Sequence, residues 1–158
     1  MRKQLITDNE QPKPSEPAGD WLDLEKCAQV ELTSEDEAYP IESALLLTGN
    51  LEWRAGKPGK QTIRLCFDNP QHITHIHLSF EEHKLPRTQE FVLNWSAVNG
   101  DSVHEIVRQQ YNFSPPENTR EREDYHVNLD SLLMLELIII PDISGGESRA
   151  SLTRLRLA

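Results

Sequence analysis

No apolar run in this sequence reaches the roughly 18 residues that a membrane-crossing helix needs. The longest candidates, Leu45 to Leu47 and Leu137 to Ile140, have the size of a turn or a strand, so no membrane partner is expected. Cysteine is almost missing. Cys27 and Cys66 are too few for a disulfide framework and lack the close spacing of a zinc knuckle or redox pair, so free thiols are expected. The opening MRKQLITDNEQ has two basic residues with no apolar stretch behind them, so no secretory signal is visible and a cytoplasmic address is expected. The sequence also lacks a nucleophile elbow, a Walker loop and a dinucleotide fingerprint. Positive charge is in short supply. The formal net charge is -10, and residues 1 to 42 carry -7 of it, with four basic and eleven acidic side chains. Such a chain gains no general counterion-release attraction to nucleic acid, and no nucleic-acid partner is expected.

What is present is a series of short alternating stretches. At 158 residues, with 37% hydrophobic content and a mean hydropathy of -0.59, the chain fits one domain whose apolar residues are rationed to single faces. Residues 1 to 19, rich in proline and acid, read as a flexible tail, with Trp21, Leu22 and Leu24 anchoring its end; residues 20 to 158 read as the domain. Ile63, Leu65 and Phe67 alternate with Thr62, Arg64 and Cys66, the period-two pattern of a strand with one dry face. DNPQ then reads as a turn. Ile76, Leu78 and Phe80 alternate with His75, His77 and Ser79, which predicts a second strand returning beside the first as a hairpin.

Further strands are expected over residues 26 to 33, 88 to 97, 102 to 112, about 123 to 129, 132 to 140 and 149 to 157. Asn99-Gly100 and Asp130-Ser131 supply tight turns, and Pro40 opens a short helical turn in the long acidic crossing. The continuous apolar run of 132 to 140 predicts a central strand buried on much of both faces, and Leu155 and Leu157 should point inward. The expected fold is all-β: an eight-stranded antiparallel β-sandwich, or jelly roll. Successive loops in such an order fall at alternate ends. The connections 34 to 59, 81 to 87, 113 to 121 and 141 to 148 are long, while 68 to 71, 98 to 101 and 130 to 131 are minimal, so all four long loops should crowd one end and make it the functional candidate.

The run CAQVELTSEDEAYPIESALLLTGNLEWRA from Cys27, followed by KQTIRLCFDNPQHITHIHLSF and the final ASLTRLRLA, resembles the discoidin or coagulation-factor C-type family, within the galactose-binding-domain-like jelly rolls. The residues carrying the likeness include Ser34, Pro40 with Ala44, and Trp53, which would match the family's buried tryptophan. This resemblance implies a non-catalytic binding module for glycans, lipid head groups or protein partners. WRAGKPGKQTI also looks like the N-terminal domain of a DNA single-strand-break repair scaffold, which keeps a protein-interaction scaffold open as an alternative. Many members of the family hold a structural calcium through an acid near the tryptophan and a glutamate in the last strand. Ala44 to Leu47 and Leu152-Thr153-Arg154 stand at the comparable places here, so no metal or other cofactor is expected.

Arg54, His83, Arg87 and Arg120 lie in the long loops and Arg108 and Tyr111 near their base. Arginine forks and an aromatic face are what a hydroxyl-rich or anionic ligand needs, so these six are the candidate ligand-binding residues. The bland alternative is pairing of these cations with Glu52, Glu81, Glu82 and Glu117. His75, His77 and Glu81 supply an enzymatic alternative, a cupin-like metal site at positions i, i+2 and i+6 of one strand. Its flanking glycines are absent, with Asn69 and Thr88 in their places, and the two histidines are expected on the outer face. Carbohydrate binding through the long loops, with a glycan or protein as partner, is the reading the sequence favours.

Overall fold

Two strands of 21 residues each, β3 (Gln61–Glu81) and β6 (Arg120–Ile140), pair with one another along their whole length and organise the rest of the chain. The computed structural model describes residues 21–49, 51–97 and 102–158. The tail expected over residues 1 to 19 and the Asn99-Gly100 turn lie outside the described residues. In chain order the other elements are α1 (Leu24–Cys27), β1 (Ala28–Leu32), α2 (Glu42–Leu45), β2 (Trp53–Arg54), β4 (Arg87–Ala97), β5 (His104–Phe113), β7 (Ser151–Leu152) and β8 (Arg154–Leu157).

The first half of β3 takes β1 on one side and the last third of β6 on the other, and β4 and β5 continue that layer in the order β1-β3-β6-β4-β5. The second half of β3 lies between β8 and the first part of β6, which makes a second, three-stranded layer. The layers face one another. Phe80, in the second layer, meets Phe91 of β4 in the first at 5.2 Å between ring centroids, and Phe91 meets Tyr125 at 6.5 Å.

The hairpin expected from DNPQ is therefore corrected. Residues 61 to 67 and 75 to 81 do run back past each other, but across the sandwich rather than side by side, and neither hydrogen-bonds to the other. Likewise Asp130-Ser131 is not a hairpin turn but the matching bend in β6. Three register shifts fall between Cys66 and His75, where both strands pass from one layer to the other. The shifts have a visible consequence in the side chains. Ile63, Leu65 and Phe67 are buried at odd positions and Ile76, Leu78 and Phe80 at even ones, because a one-residue slip flips every following side chain to the other face.

Other expectations meet the structure directly. Leu155 and Leu157 are buried, Leu132, Leu135, Leu137 and Ile139 line the core, and Trp53 is fully enclosed with its Nε1–H donating to the Ser34 carbonyl at 3.2 Å. The strand expected over 149 to 157 is broken into β7 and β8. Trp21 and Leu24 are buried, and the Leu22 N–H extends the edge of β8 by donating to Leu157 at 2.7 Å.

The carbonyls at the end of α2 meet a buried cation. Arg156 is 3% exposed, and its Nη1 donates to the carbonyls of Ala44 at 3.0 Å, Leu45 at 3.4 Å and Leu155 at 3.0 Å while Nη2 donates to Leu46 at 3.0 Å. A helix leaves its last carbonyls without partners, and one guanidinium fork answers several of them at once. Arg156 thus reaches the Ala44 stretch from the last strand. Arg156→Met should cost about 3 kcal/mol or more in chemical denaturation, with Arg156→Lys recovering only part, because an ammonium cannot span four carbonyls. The exposed Arg64→Ala should cost under about 1 kcal/mol; equal losses would deny Arg156 its role.

Candidate functional site

The four long connections do meet. The Glu82 N–H donates to the Thr119 carbonyl at 2.8 Å, the Ile143 N–H to Thr88 at 2.9 Å, and the Gly59 N–H to Ser148 at 3.2 Å. Around them lies a depression of about 530 Å³ lined by Asp36, Glu52, Arg54, Ala55, Glu81 to Leu85, Arg149 and Ser151. Its floor is the two-stranded ribbon of β2 and β7, in which Arg54 pairs with Ser151 and the Ala55 N–H donates to Ala150 at 2.9 Å. Gly59 bridges to Arg149 in a parallel register at φ 91°, a conformation that glycine reaches without steric cost.

Of the six candidate residues, Arg54 and His83 line the depression. Arg54 is fixed by its Nε bond to Glu52 and by lying 4.3 Å over the Tyr39 ring. His83 Nε2 lies 2.9 Å from Glu81 Oε1, and Arg120 Nε lies 3.4 Å from the other oxygen of the same carboxylate, which puts Arg120 at the rim. Tyr111 is spent on structure: its hydroxyl donates to the Arg120 carbonyl at 2.9 Å and its ring packs edgewise on Phe113.

Two of the six need correction. Arg87 is not a loop arginine open to a ligand, because its side chain is 1% exposed. Its Nε donates to Glu82 Oε1 at 2.7 Å, its Nη1 to the Pro141 carbonyl at 2.8 Å, and the guanidinium sits 4.8 Å over the Phe113 ring. It ties two of the long loops together from below. Arg108 is not near the base of the loops either. It stands opposite Val92 in mid-strand and bonds Glu90 and Glu105 at 3.0 Å each, whereas the pairing with Glu52, Glu81 and Glu82 that the bland alternative names is made by Arg54, His83, Arg87 and Arg120.

Lys84, Leu85, Arg149 and Ser151 also line the depression and carry no signal in the sequence that singles them out. Lys84 and Leu85 lie in the expected 81 to 87 loop, with only their neighbours' charge drawing notice. Arg149 and Ser151 were hidden because residues 149 to 157 read as one regular strand, whereas the break before β8 turns them into the floor and wall of the depression.

The histidine site of the cupin-like alternative is not assembled. His75 Nε2 and His77 Nδ1 lie 2.8 and 3.0 Å from the same Asp124 oxygen, while Glu81 turns to His83 and Arg120. Among the described residues no group of three or more histidine, cysteine, aspartate or glutamate side chains is placed to hold a metal. Nor is His77 on the surface as expected. It is 3% exposed because the chain before α1 crosses this face, with the Trp21 ring 5.0 Å from His75 and 6.2 Å from His77. Burial works against the Asp124 charge, but the two histidine bonds outweigh it and hold the carboxyl below the ordinary range.

Neither a protein-family model nor a curated protein matches this sequence. Solved structures do. The family 32 carbohydrate-binding module of Clostridium perfringens NanJ, in complex with galactose, aligns with a TM-score of 0.62 at 13% identity over 87% of this chain and 96% of that one. The fold is that of the galactose-binding-like β-sandwiches. A second such module, from a Clostridium perfringens family 31 glycoside hydrolase, aligns at 0.59 and 16% identity over 90% and 97% of the two chains. The corresponding module of AlyQ, in complex with 4,5-unsaturated mannuronic acid, aligns at 0.51 and 17% identity over 82% and 93%.

Beneath the depression this galactose-binding-like sandwich buries an acid. Glu121 is 1% exposed, accepts from Gln89 Nε2 at 3.1 Å on one oxygen and has no hydrogen-bond partner on the other among the described residues, and is pushed up to about 9 first by burial and then by the neighbouring Glu123 carboxylate. The folded chain therefore holds a proton that the unfolded chain releases near its ordinary 4.5. Stability from this group is complete below that value and is lost as pH rises toward 9, at no more than about 1.4 kcal/mol per pH unit. Glu121→Gln, which keeps the neutral form, should flatten the decline in denaturation midpoint between pH 6 and 9; an unchanged slope would place the proton elsewhere.

Proposed function

We propose that this chain is a non-catalytic carbohydrate-binding module that takes a saccharide in the depression at the long-loop end. The 34 to 59 and 81 to 87 connections and the β7 end meet there on a rigid scaffold around fixed polar groups and the 55% exposed Leu85, the mix of orienting hydrogen bonds and apolar contact that a sugar ring needs. The neighbouring folds are carbohydrate-binding modules, one of them with galactose and another with a uronic acid derivative in complex, and the likeness to the discoidin or coagulation-factor C-type family agrees with a binding role. An apolar groove of about 400 Å³ between β1 and α2 suits a sugar less well. Leu24, Val30, Leu32, Ile41 and Leu45 form its walls, and its charged members, Glu25, Glu35 and Glu42, are all of one sign.

Printed glycans are the first screen. Arg54→Ala should weaken a retained glycan by about 1 to 3 kcal/mol in titration calorimetry, through loss of a charge-assisted bond, whereas Asn69→Ala at the opposite end should leave affinity unchanged. Equal loss in the two variants, or no retained glycan, would contradict the proposal.

A further inference from the structure

Within the proposed saccharide site, the hydrogen-bonding capacity is lopsided. Each of its four carboxylates already accepts from the protein, Glu81 and Glu82 through both oxygens and Glu52 and Asp36 through one. Glu52 takes Arg54, and Glu81 is shared between His83 and Arg120. Glu82 takes the Arg87 guanidinium on one oxygen and the N–H groups of Lys84 and Leu85 on the other, at 2.9 and 3.1 Å. Asp36 takes the Ala38 N–H at 3.0 Å.

Its donors are not all committed. Among the described residues, the side chains of Lys84 and Arg149 take part in no ion pair or hydrogen bond, Lys84 being engaged only through its backbone N–H. An ammonium and a guanidinium only donate, so two uncommitted cationic donors share the depression with the second oxygens of Glu52 and Asp36, which take no bond among the described residues. Arg149 is also placed in advance, since its backbone is bridged to Gly59 and flanked by the bonds from Gly59 to Ser148 and from Ala55 to Ala150. The backbone is thereby fixed while the side chain stays exposed, and its guanidinium has the planar fork that a two-oxygen carboxylate matches. The chain's net charge of -10 does not forbid an acid here. Charges beyond about 8 Å are screened at physiological salt, while groups in contact are not.

We infer that the ligand is an acidic saccharide and that Arg149, with Lys84 of the same depression as a second cation, binds the carboxylate of a uronic acid residue. This rests on the saccharide reading above and narrows it to one class. The test compares four probes by titration calorimetry on the full chain: an oligogalacturonate, its methyl ester, a neutral galactan oligosaccharide of equal length, and a sulfated galactan oligosaccharide.

The oligogalacturonate should bind at least about tenfold more tightly than its ester and the neutral oligosaccharide, as a lost charge-assisted hydrogen bond implies. Arg149→Ala should remove about that factor, Lys84→Ala a smaller one, with melting temperatures unchanged because both side chains are exposed. If the neutral oligosaccharide binds as tightly as the acid, the acidic class is wrong and the saccharide reading survives. Tighter binding of the sulfated probe would overturn the carboxylate. Preference for the acid that survives both substitutions would overturn the assigned residues, and no binding by any probe would overturn the saccharide reading itself.

Discussion

Everything in this molecule depends on the paired bend of β3 and β6. Two strands that stay hydrogen-bonded to each other over 21 residues must cross from one layer to the next together, and the register shifts between Cys66 and His75 are where they do it. One ladder thereby supplies the middle of both layers. Because the ladder doubles over at one end, its four termini come out at the other, and so do the loops attached to them. The depression is a consequence of that geometry before it is a matter of particular side chains.

Arginine serves two different purposes around this frame. Arg156 and Arg87 are buried, and each gathers backbone carbonyls or a carboxylate from segments distant in sequence: Ala44 to Leu46 in one case, Glu82 and Pro141 in the other. A buried guanidinium is expensive to desolvate, so it persists where several donors are answered at once. Arg54 and Arg149 instead face the depression. The chain thus spends some of its few cations on holding loops in place, and those loops present the others.

Much of this was legible in the sequence. Alternation at Ile63 to Phe67 and at Ile76 to Phe80 revealed two buried faces, and loop lengths alone placed the long connections at one end. The hairpin expectation fails because a period-two pattern reports which face of a strand is dry and says nothing of whether that face looks across the sandwich or along it. DNPQ carries turn residues, yet it serves as a bulged bend, a distinction set by the partner strand. Arg87 shows the same limit: a loop arginine next to a proline reads as solvated, and only the fold supplies Glu82, Pro141 and the Phe113 ring to bury it. His77 was placed outside for want of Trp21, which lies 56 residues away in sequence.

The central claim is that the long-loop depression, and no other surface, takes the saccharide. Backbone amide chemical shifts followed through a titration with an oligosaccharide retained on the glycan array test it most directly. The account predicts perturbations concentrated at residues 52 to 55, 81 to 85 and 149 to 151, fading toward the bend. Perturbations centred instead on residues 68 to 74, or on Val30, Leu32 and Ile41 along the β1 groove, would contradict it.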